Sequence, residues 1–239
     1  MVYPGHLWPR ADGAATVRDL RQVLAARGLR LVTLNMPNID INVAAAVAEM
    51  RRYSLDLVKD IVTLAGALGA PGVVIGPGKA NPLSPAPAEE LTGHFFRALD
   101  ELVPVAERAG TELWVENMPF AYLPAIGDLT DTLDRYGNDG IGIVYDVANA
   151  YFIGENLSAG LARCRGRLKL VHFSDTHRQI YRHDPVGAGG VPFSDVPAAL
   201  AAVGYRELPM LEIISSDPDH DILDSAIRLA ALGVAGKTP

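Results

Sequence analysis

Four short apolar runs in this chain each end in a side chain able to hold a metal ion. They are Glu116 after Leu-Trp-Val, Asp146 after Ile-Val-Tyr, His172 after Leu-Lys-Leu-Val, and Glu212 after Pro-Met-Leu. A carboxylate or imidazole at the end of an apolar strand is costly to bury without a partner. One such aspartate is usually a helix cap or half of a loop salt bridge, and one such histidine a hydrogen-bonded core residue. Four in succession, each at the same place in its unit, point instead to one shared ligand. Three carboxylates and an imidazole make a mostly oxygen donor set that suits one divalent ion, Mn²⁺ first, with Mg²⁺, Co²⁺ and Zn²⁺ also fitting. Packed together, the three negative charges repel unless a cation lies between them.

The segments that must position these residues share one punctuation: a helical stretch, a glycine, then an apolar run. Gly28, Gly69, Gly110, Gly137, Gly166 and Gly204 stand before runs at 29–35, 71–78, 111–117, 141–147, 167–173 and 207–214. Helices often end in a left-handed residue that glycine adopts without strain. The runs are nearly continuous in Val, Ile and Leu, as parallel strands covered on both faces require. Between them, Val43, Val47, Met50, Leu57, Ile61, Leu64 and Leu68 fall on one helical face. Residues 16–27 and 89–109 read as further helices, with Pro104 expected to bend or break the second. Ser194-Asp195 before Val196-Pro197 reads as another helix start.

Six strands alternating with helices predict an α/β fold with a parallel sheet. The strand starts are spaced by about 36 residues, so eight units would need roughly 285, within the range of a (β/α)₈ TIM barrel. At 239 residues the chain is shorter than that. The expectation is a single domain over 1–239, an incomplete barrel of about six clear strands. The absent parts would be the first strand, first helix and second strand, so the chain reads as N-terminally short. The rival is an open sheet with fewer strands. Open sheet edges would favour a homo-oligomer. At the C-terminal mouth of a parallel barrel, the four metal-binding strand ends would converge.

Composition narrows the partners. The net charge is −7, the pI about 5.3, and no basic block exceeds Arg51-Arg52, so nucleic acid is not the expected ligand. No run approaches the roughly 18 apolar residues of a membrane span. The N-terminus carries no signal-peptide pattern, and Cys164 is the lone cysteine, so a reducing, cytoplasmic setting is expected. Cys164 itself reads as inert. The segment Gly72 to Lys79 lacks the spacing and the Ser or Thr of a phosphate loop. Lys79, Asn35 and Trp8, each near a strand end or in the leading loop, are candidates to line the pocket.

Together the strings VEN (115–117), YDVAN (145–149), VHFSD (171–175) and LEI (211–213) resemble the xylose isomerase-like TIM-barrel family. That family includes ketose 3-epimerases, hydroxypyruvate isomerases, inosose isomerases and dehydratases, 3-dehydroshikimate dehydratases and apurinic endonucleases. The resemblance implies that Glu116, Asp146, His172 and Glu212 hold one divalent ion. It also implies that Glu116 and Glu212 are catalytic, exchanging protons with a small carbohydrate-like substrate next to its carbonyl. A bound metal lowers the pKa of that C–H, and a carboxylate on each side removes and returns the proton. Arg178 matches an arginine that contacts substrate oxygens, and His183 and Asn149 are further substrate contacts. The chain departs from family patterns in three places: Asn149 where many members have histidine, Tyr122 where epimerases often have glutamate, and Tyr181 in place of an endonuclease aspartate. The departures at Asn149 and Tyr181 remove ligands of a three-zinc cluster. The expected activity is therefore isomerase or epimerase, with a dehydratase and a non-catalytic incomplete barrel as alternatives.

Overall fold

The structure, a computed structural model, describes residues 2, 4–35 and 40–234. Six parallel strands follow chain order in one sheet, β1 (Thr33–Asn35), β2 (Gly72–Ile75), β3 (Glu112–Glu116), β4 (Gly142–Asp146), β5 (Leu168–Phe173) and β6 (Met210–Leu211). This is the α/β architecture expected. The chain divides into two compact units, one from Met1–Val115 and Asn138–Gly142, the other from Glu116–Gly137 and Ile143–Pro239.

In the first unit, α1 (Ala14–Ala26), α2 (Ala48–Leu68) and α3 (Ala88–Ala109) accompany β1, β2 and most of β3. The strand expected at 29–35 is shorter, and Val47 and Met50 of the expected apolar stripe are exposed. Leu57, Ile61, Leu64 and Leu68 of that stripe are buried. Helices α2 and α3 end in left-handed Gly69 (φ 75°) and Gly110 (φ 70°). They also approach closely, since a Cβ at Gly66 would stand 2.7 Å from that of Ala109. Helix α3 runs through Pro104 without a break. That proline is on the solvent side, where the carbonyl it leaves unbonded can be hydrated.

The second unit adds α4 (Ile126–Tyr136), α5 (Val147–Phe152), α6 (Leu157–Cys164), α7 (Val196–Ala202) and α8 (Pro218–Ala231). A 3₁₀ turn at Phe193–Asp195 leads into α7, with Pro197 in its first turn as expected. β4 and β5 pair in register Asp146 with His172, and β5 and β6 pair His172 with Met210. Tyr145, Ile143, Leu170, Phe173 and Leu161 form the dry core beneath these strand ends. Asn156 caps α6 through Ala159 N–H at 2.9 Å. No described helix is long and apolar enough to cross a membrane.

Candidate metal centre

All four expected ligands lie in the second unit. Glu116 and Asp146 are the last residues of β3 and β4, His172 is the fifth residue of β5, and Glu212 immediately follows β6. One ligand atom from each falls within 4.8 Å of the others. His172 Nδ1 is the hub, 3.0 Å from Glu116 Oε1, 3.0 Å from Glu212 Oε2 and 4.0 Å from Asp146 Oδ2. Glu116, Asp146 and His172 are buried, and Glu212 is partly exposed.

Asp146 faces two ways. Its Oδ1 accepts the Asn149 N–H at 2.7 Å and so caps α5, which is the ordinary task of an aspartate after a strand. Its Oδ2 is buried without a hydrogen-bond partner. A carboxylate oxygen left this way is expensive unless a cation completes it. The donor set and this orphaned oxygen fit a divalent ion.

Burial, then the neighbouring Glu212, pushes Glu116 above the usual carboxylate range. Burial with Glu116 and Glu212 pushes Asp146 well above it. For His172 burial opposes the charge, but the hydrogen bonds and charges of Glu116 and Glu212 outweigh it and the imidazole is raised well above its ordinary value. Glu212 goes the other way: burial opposes ionisation, but His172 outweighs it and holds the carboxyl low.

A polar network surrounds the cluster. The Asn149 amide donates from Nδ2 to the Asn117 carbonyl at 2.8 Å, which fixes its orientation. Asn149 Oδ1 then accepts from the Tyr181 hydroxyl at 2.7 Å. Having donated there, that hydroxyl must accept from His183 Nε2, also at 2.7 Å. His183 is thereby the Nε2–H tautomer, and its Nδ1 accepts from Ser174 Oγ at 2.9 Å. The same Nδ1 stands 3.8 Å from Glu212 Oε2 and 4.0 Å from Asp146 Oδ2. Burial holds the His183 pKa low, in keeping with a neutral ring. Asp175 organises the loop beyond, accepting N–H groups of Gly187 and Val191 at 2.8 and 2.9 Å. Gly189 presses on Asp175 and Thr176 so closely that no Cβ fits.

His183 and Asn149 are thus brought to the cluster, and sequence reasoning missed Tyr181, Ser174 and Asn117, which connect or brace them. Arg178 is exposed and stacks over the Tyr151 ring at 4.3 Å. Phe120, Phe152 and Tyr181 form a three-ring group with centroids 5.2–5.9 Å apart. Lys79, Asn35 and Trp8 belong to the first unit. There Lys79 is tied through its backbone to Asn42, Asn35 closes β1 and accepts the Val2 N–H, and the Trp8 N–H is bound by Asp12.

A carboxylate-rich cluster at successive strand ends of a parallel sheet defines a candidate metal-binding α/β protein of the barrel type. The chain belongs to the xylose isomerase-like TIM-barrel family, whose sequence profile matches residues 3–232. It is 25% identical over 194 residues to the Methanocaldococcus jannaschii protein MJ1311, covering 76% of this chain and 64% of that one. The chain thus spans just under two thirds of that relative's length. Among solved structures it is similar to a D-tagatose 3-epimerase-like protein, with TM-score 0.83, 20% identity, and coverage of 97% of this chain and 86% of that one. It is also similar to the 3-keto-D-glucoside 4-epimerase YcjR from E. coli, with TM-score 0.78, 21% identity and coverage of 91% and 85%. The zinc-bound IOLI protein gives TM-score 0.76, 17% identity and coverage of 92% and 81%.

Proposed function

We propose that this chain is a divalent-metal-dependent isomerase or epimerase that moves a proton next to the carbonyl of a small sugar, keto-acid or cyclitol. The observation that carries the reading is the convergence of Glu116, Asp146, His172 and Glu212, with a buried Asp146 oxygen that has no partner. Those four residues would hold one ion, Mn²⁺ by its donor set, with zinc the ion named for one structural neighbour. Two further neighbours are named as sugar epimerases or epimerase-like, which supports a small carbohydrate as substrate. The lone buried Cys164 agrees with a reducing, cytoplasmic setting, and we read the chain as one barrel-type domain.

When bound, the ion supplies Lewis acidity beside the substrate carbonyl. The chain's own residues supply the proton traffic. Glu116 and Glu212, the two glutamates of the cluster, would exchange the proton with the substrate, one removing it and the other returning it. Asn149, Tyr181 and His183, joined in one hydrogen-bonded row, orient substrate hydroxyls, while Arg178 contributes a cation at the rim.

The test is elemental analysis after dialysis against metal-free buffer, with Glu212→Gln as control. It is followed by incubation with candidate ketoses in D₂O. About one ion per chain, lost in the variant, with deuterium entering beside the carbonyl, is the expected result. Loss of water from the substrate would assign a dehydratase instead. A chain that takes up no ion even from added Mn²⁺ would be a non-catalytic barrel, and the proposal fails.

A further inference from the structure

A cavity of about 210 Å³ opens in the first unit between α2 and α3. Its floor is apolar, made by Val43, Leu55 and Ala98, all buried. Three arginines also line it, Arg51 and Arg52 from α2 and Arg97 from α3, the last two exposed, together with His94 and Glu101. Glu101, the one lining carboxylate, is already bound by Lys59 at 2.6 Å and approached by Arg52 at 3.4 Å. Arg51 spends one nitrogen on the carbonyls of Ala45 and Ala46, at 2.6 and 2.9 Å. Arg97 reaches His94 Nδ1 at 2.5 Å. Among the described residues neither Arg51 nor Arg97 has a carboxylate within ion-pair distance. His94, 9% exposed, turns its other nitrogen to Glu90 at 3.6 Å. Burial, then Arg51 and Arg97, keeps that imidazole below its ordinary pKa, so it accepts from Arg97 as a neutral ring.

Two arginines that line one concave site with no carboxylate partner among the described residues, Arg51 half-buried and Arg97 exposed, are the unusual feature. Each retains N–H donors in the planar fork that matches phosphate oxygens. Three guanidiniums against one carboxylate leave a surplus of two positive charges, which matches a phosphate dianion rather than a single carboxylate. The apolar floor leaves room for the carbon skeleton of a small ester. We propose that this cavity binds a phosphate group, with Arg51, Arg52 and Arg97 as the anion's donors and His94 as the support that fixes Arg97.

The test is calorimetric titration of the whole chain with inorganic phosphate at constant ionic strength. A parallel arm uses D-fructose 6-phosphate against D-fructose. Saturable phosphate binding is expected, weakened about tenfold or more by Arg97→Gln and by Arg51→Gln. It should be unchanged in Arg30→Gln, which alters an exposed arginine away from the cavity. Tighter binding of the sugar phosphate than of phosphate, with none for fructose, assigns a phosphomonoester; equal binding assigns free phosphate. Absence of saturable binding overturns the proposal. So does binding that survives both cavity variants, since the anion would then sit elsewhere, including on a metal. Circular dichroism and metal content, unaltered in the variants, separate loss of the site from loss of the fold.

Discussion

Asn117 and Asp146 are locked by a reciprocal pair of hydrogen bonds. Asn117 Oδ1 accepts from the Asp146 N–H at 2.7 Å, and its Nδ2 donates to the Asp146 carbonyl at 3.1 Å. The side-chain amide copies the donor and acceptor of a peptide group, one residue past the end of β3. Both residues are essentially inaccessible to water, so neither bond can be replaced by solvent. Asn117→Ala leaves buried backbone groups unpaired at a cost of about 1–3 kcal/mol. It should also weaken metal binding about 10–100-fold although no ligand is removed. Competition against a chelating dye reads the affinity, and wild-type affinity in the variant would refute the bracing role.

Asp146→Asn separates the requirements of binding from those of folding. Asparagine keeps the cap on α5, because its oxygen still accepts the Asn149 N–H. It removes a carboxyl whose ionisation is opposed by burial and by the neighbouring Glu116 and Glu212. The metal-free variant should be more stable than the metal-free parent by about 0.5–2 kcal/mol, as at other sites that trade stability for function. In Mn²⁺ the order should reverse. Thermal melts with and without chelator read both states.

The pH dependence of stability should differ in size between the two states. Asp146 and His172 hold protons more tightly in the folded chain than in the unfolded one. Their contribution is present at low pH and is lost as pH rises through the raised values. Glu212 works oppositely, but only below about pH 4.5, where an ordinary glutamate titrates. A bound ion needs the deprotonated ligands, so its stabilisation grows with pH. The gap between melting points in Mn²⁺ and in chelator should therefore widen from about pH 5 to about pH 8. A constant gap would argue that the cluster is not the binding place.

Tyr181→Phe removes one hydroxyl and both of its bonds, to Asn149 and His183. The ring and its packing against Phe120 and Phe152 remain. Metal content should be unchanged, since Tyr181 is not among the four clustered ligands. Turnover of the cognate substrate should fall about tenfold or more, in kcat rather than KM if the row aligns hydroxyls during proton transfer.

The six strands and the four clustered residues were legible because both follow a local rule. Each strand is a continuous apolar run after a glycine, and each of the four clustered side chains lies at or next to the end of one. Tyr181 was not legible as a partner of Asn149, because the 32-residue separation is closed only by the fold. Asn117 stood in a recognisable string, yet its bonds depend on where β4 begins and ends. Asn156, which sits in a glycosylation-like triplet, is simply a helix cap. The cavity arginines carry no motif, since Arg51 and Arg97 come from separate helices and matter only for the space they share.

The four clustered side chains are supplied by four successive strands, from residue 116 to residue 212. No shorter stretch of chain owns a complete set. Capture of an ion by this cluster would therefore report that the whole of this span has come together, and it is expected late in refolding, after the costly long-range closures. A stopped-flow experiment following Mn²⁺ uptake would time the last assembly event of the second unit without any label on the protein.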